Sequence, residues 1–371
     1  MAALTSFSAV AAQGPATIVI DADAGTVLSH SQSDELWYPA SLTKLMTAYI
    51  TFQAMKAGSL RPTSPVKVSA HALAQAPSKM GFKVGTVMNV DNALKMMMVK
   101  SANDIAVAIA ETVGGSEANF VAKMNSEARR LGMVSTRYGN ANGLPDGGQT
   151  TTARDLAVLA RALWVDFPEY RDYLGIPAIK AGKRILRSPN RLLERYRGTT
   201  GMKTGFICAS GFNMVASAKR VGRTVIAVVL GASSSDERIE TAARLLDDGF
   251  GKWFGATRPD LATFEASPAT GAPANLHDQV CGKRIKHEDD ADSEQASGDA
   301  PARSSLVPRF VLMDPVPVFT GRADAEPGSE PAKAKAVLAS RVPMPRLRPK
   351  AGGTVNVLAS DPPAAIPATP P

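Results

Sequence analysis

Ser41-Leu42-Thr43-Lys44 stands directly ahead of an apolar run, Leu45-Met46-Thr47-Ala48-Tyr49-Ile50-Thr51-Phe52, and that pairing constrains the fold more than any other stretch. The run reads as a helix that starts at Ser41 and is buried, so the chain must wrap other elements around it. A serine at such a start is ordinary capping chemistry. A lysine in the first turn is not, because the positive end of the helix dipole disfavours a second positive charge there. The same field, together with desolvation, lowers the lysine pKa and favours the free amine. One helical turn then sets that amine beside the Ser41 hydroxyl, which is what a serine nucleophile without a histidine requires. For the tetrapeptide alone, a capped helix with a snorkelling lysine is the competing reading.

Two later triplets change that balance. Ser101-Ala102-Asn103 and Lys203-Thr204-Gly205 follow in order and complete the S-x-x-K, S-x-N, K-T-G set of penicillin-interacting serine enzymes. Each is weak alone: the first could cap a helix over Ile105–Thr112, and the second could be a turn entering a strand. Their contexts fit. Leu94–Val99 reads as a largely apolar helix whose methionines are core filler. Asn213–Ala218 and Thr224–Leu230, parted by Lys219–Arg223, read as a β-hairpin with one strand buried on both faces. Ala16–Asp21 and Thr26–Leu28 flank Ala24-Gly25 as a second hairpin, and Asp236–Leu246 reads as a closing helix with acidic residues at its start. Strands at both ends with helices between them predict an α/β fold of the α+β kind. One antiparallel sheet is flanked by helices, with a helical lobe inserted.

Across residues 15 to 255 the sequence resembles the low-molecular-weight D-alanyl-D-alanine carboxypeptidases. The segments that carry the resemblance are Tyr38–Thr47, Ser101–Asp104, Leu131–Met133, Asn142–Pro145, Thr152–Leu156, Gly201–Gly205 and Val228–Gly231. It implies a serine β-lactamase/DD-peptidase-like fold and a serine-type carboxypeptidase that removes the terminal D-alanine of peptidoglycan stem peptides. In that scheme Ser41 attacks, Lys44 takes its proton, and Ser101 passes a proton toward the leaving amine. Asn103 binds the substrate amide while holding Lys44, and the N–H groups of Ser41 and Phe206 form the oxyanion hole. Lys203, Thr204 and Gly205 line the substrate strand, with Arg238 near the terminal carboxylate. β-Lactams are the implied covalent inhibitors, and no cofactor or metal is implied. Phe206 departs from the small polar residue or histidine that many members carry after Lys-Thr-Gly, so a side-chain contact to the carboxylate is lost while the backbone N–H remains.

Composition divides the chain near the same boundary. Of 26 prolines, 17 follow Phe254, and that part also holds an acidic run, Glu288–Glu294. Such a segment buries too little apolar surface to offset its ordering entropy, so 256–371 reads as a mostly disordered tail. Val307–Arg322 is its one patch able to dock. The family's β-rich second domain and amphipathic membrane helix have no copy here, which leaves peripheral membrane or wall association to the tail. The tail carries a net −1 and the remainder +9. Aromatic residues are not interleaved with the basic ones, which argues against nucleic acid, whereas an anionic wall peptide suits the sign. His30, His71, His277 and His287 lack ligand spacing. With two cysteines a disulfide framework is excluded, and Cys208 reads as a small apolar residue near the site rather than as the partner of Cys281, a single bridge between the two being the alternative. Residues 1–14 resemble the end of a signal peptide, which implies a periplasmic location. No run of 18 apolar residues spans a membrane.

Three rivals remain. A D-alanyl-D-alanine endopeptidase cutting cross-links would use the same residues. A β-lactamase would need a supported carboxylate between the second and third motifs, where Asn140–Gln149 offers only Asp146. A non-catalytic wall-binding protein would be expected to have lost Ser41, Lys44 or Lys203.

Overall fold

The computed structural model describes residues 14–252, 257–282 and 305–321 of the 371. The chain opens with strands β1 (Ala16–Asp21) and β2 (Val27–Ser31), and a 3₁₀ turn over Ala40–Thr43 leads into helix α1 (Lys44–Lys56). The lobe follows: β3 (Pro65–Lys67), α2 (Ala70–Leu73), β4 (Val87–Asn89), α3 (Val90–Val99), α4 (Asn103–Gly114), α5 (Glu117–Arg130) and α6 (Ala153–Asp166). A small hairpin, β5 (Ala178–Ala181) with β6 (Arg184–Arg187), and the short α7 (Leu192–Arg195) return the chain to the main sheet. There it forms β7 (Thr199–Ile207), β8 (Gly211–Arg220), β9 (Arg223–Ala232) and helix α8 (Ser235–Gly251). Beyond lie α9 (His277–Cys281) and β10 (Val316–Val318).

The main sheet runs β2-β1-β9-β8-β7 and every pairing in it is antiparallel. Alternation along β9 shows how it is held. Ile226, Val228 and Leu230 face the core shared with α1, α3, α4 and α6, while Val225, Ala227 and Val229 face Ile239, Ala242, Ala243 and Leu246 of α8. A strand covered on both faces needs apolar residues at every position, which is why this run lacks the polar alternation of a surface strand. Helix α1 is buried continuously from Lys44 to Phe52, as an apolar run without a wet face demands. The sequence placed its start at Ser41. Instead Ser41 lies in the 3₁₀ turn, caps nothing, and Lys44 is the first α-helical residue.

One sequence expectation needs correction. Cys208 and Cys281 form a disulfide with Cα atoms 5.6 Å apart. They are 73 residues apart in sequence, and only the fold brings α9 to the end of β7, where Leu276 N–H also bonds the Ala209 carbonyl at 2.9 Å. Within 256–371, read as mostly disordered, the described segments 257–282 and 305–321 pack on the domain. Leu261, Leu276, Val280 and Val318 belong to the main core. The Arg154 guanidinium, 1% exposed, donates to the carbonyls of Gly132, Leu261, Ala262 and Phe264 and pairs with Asp155. Strand β10 adds in parallel to β5, inside the patch singled out as able to dock. Composition missed this because the order comes from main-chain hydrogen bonds and a few apolar anchors, not from a core of the segment's own. The leader at 1–13, the acidic run 288–294 and everything after 321 lie outside the described residues.

Candidate active site

Three structural layers meet at the 3₁₀ turn. The turn carries Ser41, the α3–α4 junction carries Ser101 and Asn103, and the edge strand β7 carries Lys203, Thr204, Gly205 and Phe206. Backbone contact sets the spacing. A Cβ on Gly205 would lie 3.1 Å from Ser41 N, Leu42 N and Pro39 O, so any side chain there would push β7 and the turn apart by a few tenths of an ångström. Gly143 does the same from the other side: its φ is +89°, and a Cβ there would overlap the Ala40 carbonyl oxygen. Two non-glycine residues of the site also adopt left-handed backbone, Ala40 at φ 47° and Ser101 at φ 59°. Such conformations persist only where the surroundings over-determine them, and here they aim the residues on either side of Lys44.

Lys44 is completely buried. Its Nζ lies 2.6 Å from Asn103 Oδ1, 2.6 Å from the Asn142 carbonyl and 2.9 Å from Ser41 Oγ. Burial holds its amine well below the ordinary lysine range, the Lys203 ammonium pushes the same way, and Asp104 opposes them. A neutral amine has two N–H donors and one lone pair. The two carbonyl-type acceptors take both N–H groups, which leaves the lone pair facing the Ser41 hydroxyl. That is the geometry of a base beside its nucleophile. On the far side, Lys203 Nζ donates to Ser101 Oγ and to the Thr204 carbonyl, each at 2.9 Å. Asn103 is fixed in turn, its Nδ2 donating to the Ala76 carbonyl at 2.9 Å.

The structure thus brings Ser41, Lys44, Ser101, Asn103, Lys203, Thr204 and Gly205 into one cluster. Phe206 stacks on Phe212 with centroids 4.4 Å apart. Arg238, 2% exposed at the start of α8, has its guanidinium 5.6 Å from the Phe212 ring and donates to Ser235 Oγ at 3.2 Å. It reaches the cluster through that aromatic pair. Sequence reasoning gave no role to Asn142, whose backbone carbonyl holds Lys44, because a main-chain acceptor leaves no residue-type signature. It also missed Asp104, a fully buried carboxylate that accepts the N–H groups of Met80 and Gly81 and fixes the loop over Asn103. Among the described residues no three His, Cys, Asp or Glu side chains are placed to hold a metal ion.

A serine, a depressed-pKa lysine and a second serine under a lysine, all set against a strand edge, form an arrangement chemically able to carry out acyl transfer. Comparison places the chain further. The family model described as D-alanyl-D-alanine carboxypeptidase matches residues 3–234, and the chain belongs to that family. It is 35% identical over 252 residues to the D-alanyl-D-alanine carboxypeptidase DacF of Bacillus subtilis, a match covering 66% of this chain and 64% of that protein. The chain therefore spans less than two thirds of that relative's length. Among solved structures, the D-alanyl-D-alanine carboxypeptidase DacD of Francisella tularensis superposes with a TM-score of 0.62 at 31% identity, over 67% of this chain and 73% of the other. Penicillin-binding protein D2 of Listeria monocytogenes, solved in its ampicillin-bound form, gives 0.56 at 29% identity, over 66% and 99%.

Proposed function

We propose that this protein is a serine-type D-Ala-D-Ala carboxypeptidase of the bacterial cell wall. The observation that carries the reading is the buried Lys44 amine, 2.9 Å from Ser41 Oγ, with both its N–H groups committed elsewhere. Ser41 Oγ attacks the carbonyl carbon of the penultimate D-alanine and its proton passes to Lys44. The Ser41 and Phe206 N–H groups hold the resulting oxyanion, a role that suits the close approach of β7 to the turn. The C–N bond then breaks. The departing D-alanine amine takes a proton through Ser101, kept polarised by Lys203, and water hydrolyses the acyl-Ser41 ester to regenerate the enzyme. Asn103 keeps Lys44 in place. Lys203 and Thr204 receive the free carboxylate of the terminal D-alanine, and Arg238 adds positive field from behind the Phe206–Phe212 pair.

β-Lactams acylate Ser41 by the same route, as the ampicillin-bound state of the Listeria relative supports. The Cys208–Cys281 disulfide suits an oxidising compartment such as the periplasm, and among the described residues no helix is long and apolar enough to cross a membrane. The test is to incubate the protein with a stem pentapeptide and with a cross-linked dimer and weigh the products. The expected result is loss of one D-alanine from the pentapeptide. Efficient cleavage of the dimer with the pentapeptide left intact would reassign the protein as an endopeptidase.

A further inference from the structure

We propose that Glu117, the first residue of α5, is a positioning residue for Lys44, an inference that rests on the reading of Lys44 as the base. Lys44 depends on the Asn142 carbonyl for one of its two N–H partners. Asn142 sits in a loop without regular structure, where Asn140 Oδ1 accepts its N–H at 3.3 Å and that of Gly143 at 2.7 Å, and Asn142 Nδ2 donates to Gln75 Oε1 at 2.9 Å. The direction from which the chain enters Asn142 is set one residue earlier. Its neighbour Ala141 is pinned from both ends. The Glu117 Oε1 accepts the Ala141 N–H at 3.0 Å, and Thr47 Oγ1, one turn beyond Lys44 on α1, donates to the Ala141 carbonyl at 2.6 Å. With both polar groups of Ala141 committed, the chain enters Asn142 in one orientation. Gly143 then allows the passage against Ala40.

Glu117 is itself held. Its second oxygen lies 2.6 Å from His71 Nε2 of α2. The charged and titratable groups around it are His71 from α2 and, bordering the same cavity of about 800 Å³, Glu111 from α4, which accepts Ser69 Oγ. Those facing Lys44 are Lys203 from β7 and Asp104 from α4. Glu117 touches neither Ser41 nor Lys44. Its action passes through the Ala141–Asn142 backbone.

The chemistry gives the effect a sign. A carbonyl acceptor favours the ammonium form of Lys44, so a carbonyl that drifts away lowers the lysine pKa further and also loosens the amine from Ser41. The experiment measures the rate of Ser41 acylation by a fluorescent penicillin from pH 5 to 10 for the wild type, Glu117→Ala, Glu117→Asp and Glu117→Gln, each checked for its melting temperature. The Ala variant should acylate about tenfold to a hundredfold more slowly, the usual consequence of a misplaced reacting group, with its acid limb moved to lower pH. The Asp variant keeps the charge at the helix start but cannot reach Ala141, so it should behave like Ala even if Ala itself folds poorly. Gln keeps an oxygen at the right reach and should recover most of the lost rate. Acylation of the Asp variant within twofold of wild type with an unmoved acid limb would overturn the proposal, and so would a Gln variant as slow as Ala. Absence of Ser41 labelling in the wild type would instead overturn the reading of Ser41 as the nucleophile, and of Lys44 as its base with it, a separate outcome seen before any variant is compared.

Discussion

The candidate catalytic cluster and the segments that follow residue 255 are ordered by opposite means. In the cluster, two lysines sit 0% and 2% exposed, surrounded by aimed acceptors, on elements whose own cores are continuous. Residues 257–282 and 305–321 have no core of their own. They lend four apolar side chains to the domain, their carbonyls to Arg154, one cysteine to a disulfide and one short strand to β5. Polar groups in the first region are placed for chemistry, and the folding of the surroundings offsets their burial. In the second, polar main-chain groups are what attaches the segment. The contrast predicts that changes in the cluster alter rates with little effect on melting, and that changes in the later segments do the reverse.

The sharpest test removes the nucleophile. Ser41→Ala should abolish covalent labelling by a fluorescent penicillin, read as loss of the mass shift, while circular dichroism stays unchanged. Next is Lys44→Arg, which keeps the charge but cannot accept a proton. Acylation should fall by about 10²–10⁴-fold, and normal acylation in a folded variant would make some other group the base. For the second region, a chain ending at residue 256 loses the disulfide, Leu261, Val280 and the acceptors of a buried guanidinium. Its melting temperature should drop on the order of 10 °C, equivalent to ~4 kcal/mol, while acylation measured well below melting changes by less than tenfold. Unchanged melting would mean these contacts contribute nothing and would collapse the contrast. Cys208→Ser, or reduction of the wild type, removes one tie alone and should cost about 2 kcal/mol, read as a smaller melting shift of the same sign.

The smallest effect is a displacement of a pH profile. Lys203 disfavours protonation of Lys44, so removing its charge in Lys203→Met raises the Lys44 pKa and leaves less free amine at a given pH. The acid limb of acylation should move to higher pH, in addition to any loss of rate. A limb that stays in place would show that burial alone, the larger influence, sets the base.

The two regions were unequally legible. Ser41, Lys44, Ser101, Asn103 and Lys203 could be read because their chemistry demands particular side chains at local spacings, and the hairpins around them because alternation and turn residues are local signals. The central position of α1 followed from its lack of a wet face. What the sequence could not express were interactions in which one partner is backbone or lies far along the chain. The Asn142 carbonyl on Lys44, the Asp104 carboxylate on the Met80–Gly81 loop, and the carbonyls gathered by Arg154 are acceptors that any residue could supply. The pairing of Cys208 with Cys281 had no local mark at all. Side-chain identity and short-range periodicity by themselves determined the sheet and the residues proposed as nucleophile and base that it presents. The aim of main-chain groups at those side chains, and the attachment of the later segments, were decided by tertiary structure, because a peptide group is the same at nearly every position and only the fold gives it a direction.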